Sequence, residues 1–543
     1  ENRKKILQDL REKMKLESSL KVLVHSIAKG NLKPMYASEE TTLILSHQKG
    51  NDLAFASKEH PRNIGPKLII TYKTEEGAPA IEQEEVYQEE EVQPEEVVDS
   101  TQPKTEIPQP DYFVTVNGKS SNDGKTEATA WNIDHAFESA LAGDVVYIKA
   151  GNYGSKELIA DNSGTQNQPI LFIGYKTTPG DISSNEGSTF NYGDNLDPND
   201  MPYIKGNITS SKTGVTIEEN YVTLENFQIS NYLRGVLTTG THVKLKNVIG
   251  VDFGNQNDPN GYDGFGFEVR GNNTTIENCF VLNSTAESIK LFDSDYSLIQ
   301  YTSVYADNGT NPTDYYFLIT GGTNNTLVEN CYAEREKSLS HGGHGFDMKD
   351  LAENNTFKNC TVKNTSIELN FSGVRYNTIT DCSIYGEDTS SSNWQAVLTV
   401  FNGANNNTIS NVYIQDTWRA INWGDYDDGY VGPGGDRDLE SMGWDNVFQN
   451  IVVKNTNRIL NVGGGTFYNS KASRNSFIDC DFSDFNSVAV TYYPTEDILF
   501  KNCKFNNGSN LVYESKGAHA AYSSFDAKYE NCSWTNVDFT PPN

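Results

Sequence analysis

The sequence is short of three things: long apolar runs, basic residues and cysteine. No apolar run is long enough to cross a bilayer, which excludes a membrane-spanning helix. Lys and Arg number 43 against 73 Asp and Glu, and the formal net charge of -30 argues against nucleic acid, whose binders carry basic faces. No signal peptide stands at Glu1, but a mature secreted protein would have lost one. We therefore expect a soluble protein that binds neither membrane nor nucleic acid, with its oligomeric state left open.

The few cysteines are placed too regularly for a disulfide framework. Each follows Asn or Asp and closes a short alternating strand pattern, as in IENCFV and FKNCTV. One residue type at one phase of a repeat predicts a stacked, buried row in which the thiol acts as a small hydrophobe. The seven positions are Cys279, Cys331, Cys360, Cys382, Cys480, Cys503 and Cys532.

The phase of these cysteines belongs to a longer repeat. Phe227, Val248, Thr302, Val412 and Ile451 fill the same phase in the intervening coils, and successive positions are mostly 21 to 31 residues apart. A period of this size is typical of a solenoid. An Asn recurs five or six residues earlier and predicts left-handed corners in place of glycosylation sites. These corner positions are Asn273, Asn325, Asn355, Asn377, Asn407, Asn446 and Asn475.

Together these patterns predict an all-β fold, a right-handed parallel β-helix of about 12 coils over residues 111–543. An open solenoid needs a cover for its first coil. The stretch AWNIDHAFESALA, residues 130–142, has helical apolar spacing and precedes the strand pattern GDVVYIKAGNY, so it predicts an N-terminal capping helix.

The N-terminal region has a different character. Residues 75–110 are rich in Glu, Pro, Gln and Val without periodicity, which predicts an acidic disordered linker. Before it, TTLILSHQ, NDLAFASKE and GPKLIITYK predict three strands. Over residues 41–73 they resemble the last strands of a carbohydrate-binding β-sandwich module, and residues 1–30 have the pattern of a charged amphipathic helix. Residues 1–74 are thus predicted to form a small β-rich module with an N-terminal helix.

The strand that opens each coil carries charged side chains in register. Aligning GFEVR, SIKLF, YFLIT, GFDMK, SIELN, AVLTV and AINWG on their inward apolar residues leaves two outward columns. The middle column is Glu268, Lys290, Leu318, Asp347, Glu368, Leu398 and Asn422. The fifth column is Arg270, Phe292, Thr320, Lys349, Asn370 and Val400. Charge is concentrated in five neighbouring coils, so a functional surface is predicted between Glu268 and Asn370.

Two carboxylates of the middle column suit catalysis. Stacked strands lie roughly 4.8 Å apart, so Asp347 and Glu368 should hold their carboxyl groups roughly 5 Å apart, with Lys349 beside them. Retaining glycosidases use that separation, and like charges so close raise one pKa. His344 stands at the mouth of the same strand and is expected to bind substrate or move a proton. We predict Asp347, Glu368, His344 and Lys349 as catalytic; the alternative is a solvated ladder of salt bridges.

Other residues near these strands suit a sugar ligand. Aromatic faces stack on sugar rings, and Arg pairs with carboxylate or sulfate groups. The candidates for substrate binding are Glu268, Arg270, Lys290, Tyr315, His341, Arg335, Asn370, Arg375, Trp394, Trp418 and Arg419. Two acidic loops, NDPNGYDG and GDYDDG, offer oxygen ligands for calcium, and the candidates there are Asp258, Asp263 and Asp425.

The succession HGGHGFDMK, ENNTFKNCTV and IELNFSGVRYNTI resembles secreted β-helix enzymes of marine bacteria that act on algal glycans, including glycoside hydrolases of the fucanase type. The resemblance implies a secreted, endo-acting hydrolase of a sulfated algal polysaccharide such as fucan. GFDMK also looks like the calcium-dependent β-helix pectate lyases, in which a Lys at the place of Lys349 is the base. His344 departs from that pattern, because those lyases tend to carry an acid there.

Two other functions stay open at this point. A polysaccharide lyase would use Lys290 or Lys349 as base, Arg375 or His344 as acid, and calcium to neutralise a uronate. A non-catalytic solenoid that binds or adheres to glycans would keep its properties after substitution of Asp347 and Glu368.

Overall fold

The computed structural model describes residues 53–55, 68–70, 107–210, 212–339, 343–371, 373–425, 441–465, 471–514 and 524–542. The chain divides into two units, Glu1–Gln102 and Pro103–Asn543. In the first unit, Leu53–Phe55 and Leu68–Ile70 pair as antiparallel strands. They lie within two of the three strands expected there. The helix expected over residues 1–30 and most of the acidic linker lie outside the described residues, so the module and linker stay predictions.

The second unit is a parallel β-helix, which confirms the predicted fold class. Its strands stack in register on three faces, and in the described ranges every strand pairing between successive coils is parallel. Face 1 carries the strand that opens each coil. Its strands are Leu158–Ala160, Thr213–Ile217, Arg234–Thr238, Phe265–Val269, Glu287–Phe292, Tyr315–Thr320, His344–Lys349, Ile367–Asn370, Leu398–Phe401, and the later halves of Tyr413–Asp425, Val452–Gly465, Asp481–Thr491 and Lys504–Glu514.

Face 2 follows face 1 along each coil, and its strands are mostly three residues long. They are Tyr112–Val114, Val145–Lys149, Ile170–Tyr175, the first halves of Val222–Ser230 and Lys244–Phe253, Thr275–Glu277, Leu298–Gln300, Leu327–Glu329, Thr356–Lys358, Thr378–Thr380, Thr408–Ser410, Val447–Gln449, Ser476–Ile478, Ile498–Lys501 and Ala527–Glu530. A smaller parallel sheet of Ser441–Trp444, Lys471–Ser473 and Thr495–Glu496 precedes face 2 in three late coils.

Face 3 completes each coil. Its strands are Gly151–Asn152, Pro202–Lys205, the later halves of Val222–Ser230 and Lys244–Phe253, Phe280–Ser284, Ser303–Ala306, Tyr332–Arg335, Thr361–Lys363, Ser383–Tyr385, the first halves of the four long strands that end on face 1, and Ser533–Thr535. The stack therefore extends N-terminally beyond Phe227, the first position of the predicted repeat.

Left-handed residues five positions apart make the corners of the coils. In one coil they are Asn354, Asn359 and Asn364, with φ of 56°, 50° and 57°. Asn and Asp dominate these positions because their short polar side chains tolerate the left-handed region. Asn273 and Asn325 are left-handed as expected, but the expectation is wrong by one residue at Asn355 and in the coils that follow, where the preceding residue has the positive φ.

The displaced asparagines form a buried ladder instead. Asn377 donates from its backbone N and from Nδ2 to Oδ1 of Asn407, at 3.0 and 3.1 Å, and Asn407 donates in the same way to Asn446. A buried amide is stable only when it is hydrogen-bonded, and here each rung satisfies the next. The five members are Asn355, Asn377, Asn407, Asn446 and Asn475, all buried, so they cannot carry glycans.

The ladder should carry measurable stability. Asn407→Ala leaves Asn377 without its acceptor and leaves Asn446 Oδ1 with only the backbone N of residue 407 as donor. We therefore expect a loss of about 3 kcal/mol in the free energy of unfolding. Urea unfolding followed by circular dichroism measures it. Asn195→Ala, at an exposed loop position, is the matched control. Equal midpoints for the two variants would contradict a stabilising role for the ladder.

Inside the coils, aliphatic and aromatic residues stack on their own kind. Phe448, Phe477 and Phe500 form one such column, with ring centroids 4.6 and 4.8 Å apart. The cysteines form another: all are free thiols and all but Cys532 are buried, as predicted. Their Sγ atoms donate to backbone carbonyls of the same and the preceding coil, and burial is the leading reason why the pKa of the Cys279 thiol rises to about 12.

The capping helix is confirmed, but it is shorter than the sequence pattern. It runs from Ile133 to Ser139, and Asn132 accepts a hydrogen bond from the backbone N of His135 at its start. Phe137 stacks on Phe172 of the first coils at 4.1 Å, which covers the open end of the core. No helix in the described ranges is long and apolar enough to span a membrane.

Candidate active site

The two predicted carboxylates lie in register on face 1. Asp347 pairs with Glu368 between His344–Lys349 and Ile367–Asn370, so their side chains leave neighbouring coils side by side. The predicted register fails one coil later: Thr399, not Leu398, pairs with Glu368, and Phe401, not Val400, pairs with Asn370. A shift by one residue exchanges the faces of a strand, and Leu398 and Val400 are accordingly in the core.

Both carboxyl groups are more buried than the sequence suggested. The column was expected at the surface, but Asp347 is 0% exposed and Glu368 is 4% exposed. An oxygen of each carboxylate and a ring nitrogen of His344 all lie within 4.8 Å of one another, in agreement with the predicted separation of roughly 5 Å. Within the described ranges, neither oxygen of Asp347 has a hydrogen-bond partner.

Glu368 is held by two polar neighbours. His344 Nδ1 lies 2.9 Å from Glu368 Oε1, and the hydroxyl of Ser366 donates to the same oxygen. Ser366 stands two residues before Glu368 on the chain, where the extended backbone turns both side chains to the same side. The contacts leave Oε2 of Glu368 as the oxygen with no hydrogen-bond partner among the described residues.

The surroundings raise the pKa values of Asp347 and His344 and lower the pKa of Glu368. Burial, followed by the charge of Glu368, raises the pKa of Asp347 to about 8. Burial opposes a charged imidazole, but the carboxylate of Glu368 outweighs it and raises the pKa of His344 to about 9. Burial likewise opposes ionisation of Glu368, yet His344 and Ser366 together lower its pKa. At neutral pH the cluster therefore holds protons on Asp347 and His344 and a charge on Glu368.

Tyr315 and Lys349 enclose this cluster. Lys349 Nζ donates to the hydroxyl of Tyr315 at 2.8 Å and lies 5.1 Å from the ring centroid of Phe371. The Tyr315 ring stacks on His344, with centroids 4.6 Å apart, and burial raises the pKa of its phenol. Through the Tyr315 ring, this hydrogen bond connects Lys349 to His344. Asp347 is thereby closed off from solvent.

A cavity of about 390 Å³ opens beside Glu368. Glu368 and His344 line one end of it, and Trp418 and Arg419 line the other, two coils further along face 1. Trp394 is 45% exposed, and the guanidinium of Arg419 lies 5.5 Å from its ring. The lining residues are Gly343, His344, Ser366, Glu368, Trp394, Gln395, Val397, Thr399, Phe401, Trp418 and Arg419. This mixture of a carboxylate, a cation and indole faces suits a sugar chain.

Four predicted substrate residues lie nearby in other contacts. Asn370 follows Glu368 by two residues and accepts a bond from Asn402 at 2.9 Å. Glu268 is buried between Arg234 and Arg270, at 2.6 Å from each. Lys290 pairs with Glu287 at 3.1 Å and is separated from Asp347 by Leu318. These ion pairs extend face 1 towards the N-terminus but stand apart from the carboxylate cluster.

Two predicted substrate residues are not brought to the site. The prediction for Arg335 is wrong: it lies on face 3, is 1% exposed, and donates to the backbone carbonyls of Asn364 and Leu339. Arg375 lies at the turn that leads to face 2, where its Nε donates to Glu353 at 2.7 Å. His341 lies outside the described residues.

The predicted calcium ligands lie in two separate loops, and calcium binding there stays a prediction. Asp258 accepts a bond from Asn260 N, and Asp263 accepts from Asn255 N and the Thr285 hydroxyl, all of them contacts that shape their own loop. Asp425 is buried at the end of its strand, and residues 426–440 after it are outside the described ranges. In the described part of the chain, His344, Asp347 and Glu368 form the one group of three side chains able to share a metal ion.

Six lining residues were not predicted: Gly343, Ser366, Gln395, Val397, Thr399 and Phe401. Arg458, which pairs in register with Arg419 on the next coil, was not predicted either. Ser366 is visible only once the partner of Glu368 is known, and Gln395 only through the turn that brings it into the cavity. Arg458 had a signal, because the strands RAIN and RILN repeat Arg and Asn at the same spacing in successive coils.

No family model matches the chain. Among curated proteins, the uncharacterized protein YwoF of Bacillus subtilis (strain 168) is 32% identical over 142 residues. The matched segment makes up 24% of this chain and 30% of the length of that protein.

Solved structures of low sequence identity resemble the chain. A mannuronic acid specific polysaccharide family 6 lyase from human gut microbiota has a TM-score of 0.45 at 14% identity, covering 73% of this chain and 88% of its own. The PL6 family polysaccharide lyase of Pseudopedobacter saltans has a TM-score of 0.41 at 14% identity, with coverages of 79% and 94%. The GH136 lacto-N-biosidase of Eubacterium ramulus has a TM-score of 0.35 at 13% identity, with coverages of 78% and 67%.

Proposed function

We propose that the protein hydrolyses a polysaccharide, with Asp347 and Glu368 as its catalytic carboxyl groups. The observation that carries this proposal is a pair of carboxyl groups within 4.8 Å whose pKa values are driven in opposite directions. A glycosidase needs one protonated and one ionised carboxyl group, and retaining enzymes hold them roughly 5 Å apart.

The roles follow from the protonation states. Ionised Glu368 lines the cavity and attacks the anomeric carbon, forming a glycosyl ester while the bond to the leaving oxygen breaks. The leaving oxygen takes its proton from the pair Asp347 and His344, because both groups hold a proton at neutral pH. A water molecule then cleaves the ester and returns the proton to the same pair. The products are two shorter chains, and the anomeric carbon at the new reducing end keeps its configuration.

The cavity supports a long, anionic substrate. Face 1 continues for several coils on both sides of Glu368, so a polymer can lie along the solenoid and leave the cavity at both ends. Exposed Trp394 and buried Arg419 offer a stacking face and a cation at one end. We therefore propose endo attack on a sulfated algal polysaccharide such as fucan by a secreted enzyme.

The test is a panel of polymers. The protein is incubated with fucoidan, carrageenan, alginate and polygalacturonate, and the products are sized by chromatography while new reducing ends and ultraviolet absorbance are followed. We expect one sulfated polymer to be shortened to oligosaccharides with new reducing ends and without the absorbance of an unsaturated sugar. If every polymer keeps its length, the hydrolase proposal is overturned.

A specific contact favours lyase action as the second candidate. Lys349 Nζ lies 2.8 Å from the Tyr315 hydroxyl beside Asp347, and a β-elimination needs a base and an acid close together. A lyase would release unsaturated products from alginate or polygalacturonate, and with calcium as cofactor it would lose activity in a chelator. We expect the hydrolase activity to survive dialysis against EDTA, because none of its steps uses a metal ion.

A further inference from the structure

Two arginines of face 1 stack on successive coils, the first lining the cavity and the second one coil beyond it. Arg419 pairs in register with Arg458, between Tyr413–Asp425 and Val452–Gly465. Both side chains are buried, and Arg458 is 9% exposed. Neighbouring coils lie roughly 4.8 Å apart, so two positive charges are held close together inside the protein.

Side-chain amides bind both guanidinium groups. Arg419 Nη1 donates to Asn422 Oδ1 and Arg458 Nη1 donates to Asn461 Oδ1, each at 3.0 Å, and Asn461 Nδ2 donates to Asn422 Oδ1 at 2.6 Å. Arg458 Nη2 donates to Asn457 Oδ1, and its Nε has no hydrogen-bond partner among the described residues. These amide contacts orient the two guanidinium groups, and the amides themselves carry no negative charge.

Arg474, which lies outside the cavity, has a different environment. Arg474 lies at an exposed corner and pairs with both oxygens of Asp445, at 2.8 and 3.0 Å. Burying a cation costs free energy unless an anion compensates it. Within the described residues, Arg458 has no carboxylate at ion-pair distance, so its burial is understandable if a ligand supplies the anion.

Trp418 connects this pair to the cavity. Its ring lies 4.3 Å from the guanidinium of Arg458 and 5.7 Å from that of Arg419, and both Trp418 and Arg419 line the cavity. An indole face beside two guanidinium groups can stack on a sugar ring and bind a charged substituent of the same sugar.

We propose that Arg419 and Arg458 form an anion subsite for a substituent of the bound glycan, a sulfate ester or a uronate carboxylate. The inference rests on the proposed function and deepens it. Arg419 lies two coils and Arg458 three coils beyond Glu368, so the charged sugar is roughly 10–15 Å along the chain from the bond that is cleaved. The subsite makes the charge on that sugar a contribution to the affinity of binding.

The test measures binding in a chain that does not turn over. Each Arg variant is made in the full-length protein with Glu368→Gln, and titration calorimetry measures affinity for fucoidan, for the same fucoidan after desulfation, and for alginate. We expect Arg458→Gln to weaken binding of one charged polymer by about tenfold and to leave desulfated fucoidan unaffected. A loss confined to fucoidan identifies a sulfate ester, and a loss confined to alginate identifies a carboxylate.

Two controls keep the result interpretable. Arg458→Lys keeps the charge but not the fork, so it should fall between the parent and Arg458→Gln. Arg474→Gln removes a cation of the same type outside the cavity and should bind like the parent. Equal affinities of Arg458→Gln and Arg474→Gln for both charged polymers, with both variants folded, would overturn the anion subsite while leaving the hydrolase proposal intact. Absence of all binding by the parent would overturn both.

Discussion

Glu368→Gln should reduce turnover of the polymer substrate by about a thousandfold or more. The amide cannot attack the anomeric carbon, and it cannot stabilise the positive charge that develops there, so both functions of the ionised carboxylate are lost together. The change is nearly isosteric, and Ser366 can still donate to the remaining oxygen. Initial rates of reducing-end formation, measured on the substrate found in the polymer panel, give the effect.

The same variant carries an internal check on the cluster. Without the carboxylate, the main group that raises the pKa of His344 to about 9 is gone, and burial, the largest influence, is opposed only by the weaker charges of Asp347 and Asp314. We therefore expect the imidazole to be neutral at pH 7.5 in Glu368→Gln and charged in the parent, as read from its NMR chemical shifts.

Glu334→Gln is the matched control for turnover. Glu334 lies on face 3, where it pairs with Lys363 at 2.8 Å, and its loss should leave the rate unchanged. If Glu368→Gln retains more than about a tenth of the parent rate, Glu368 is not the nucleophile.

The repeat explains how much of this fold could be predicted. Side chains of one type at one phase, such as the cysteine row, report burial directly, and corner asparagines mark where each coil turns. The periodicity does not specify the turn between Asn370 and Leu398 closely enough to fix register, because the residues AVLTV can be aligned in two ways that both place apolar residues inside. In the structure Leu398 pairs with Ile367 and Ile421, so Leu398 is the residue that points into the core.

The site was predictable only where it lies within one strand pair. Asp347, Glu368, His344 and Lys349 follow from strand alternation and coil spacing. Burial of the carboxylates does not, because it depends on Tyr315 from the preceding coil and on the turn that carries Trp394. The prediction of Arg335 as a substrate residue failed for the same reason. Its strand lies on face 3, and the sequence of a short alternating strand does not indicate which face of the solenoid the strand joins.

Asp347→Asn should remove activity. It should also make the protein more stable than the parent, by a margin that grows as the pH rises. In the folded chain the pKa of Asp347 is raised to about 8 from an ordinary value of 3.8, so between these values the folded protein keeps a proton that the unfolded chain has released. The stability contributed by that proton is fully present below pH 4 and is lost as the pH rises through the folded pKa. One group of this kind lowers the free energy of unfolding by at most about 1.4 kcal/mol per pH unit.

The asparagine side chain does not titrate, so the free energy of unfolding of the variant does not fall with pH in this way. Melting temperatures measured from pH 4 to pH 9 should therefore diverge, with Asp347→Asn increasingly above the parent until about pH 8 and parallel to it beyond. Turnover should fall strongly at every pH, because the reservoir of protons for the leaving oxygen is gone. Stability gained where activity is lost is the expected trade-off at a catalytic site that buries an ionisable group.

Glu368→Gln provides the comparison of opposite sign. His344 and Ser366 hold the pKa of Glu368 below its ordinary value, so the carboxylate contributes stability above that value and loses it as the pH falls through the folded pKa. Its replacement should therefore lower the melting temperature at neutral pH, where replacement of Asp347 raises it. If the parent and Asp347→Asn instead melt in parallel from pH 4 to pH 9, Asp347 is ionised in the folded protein. It would then be unable to supply the proton that hydrolysis requires.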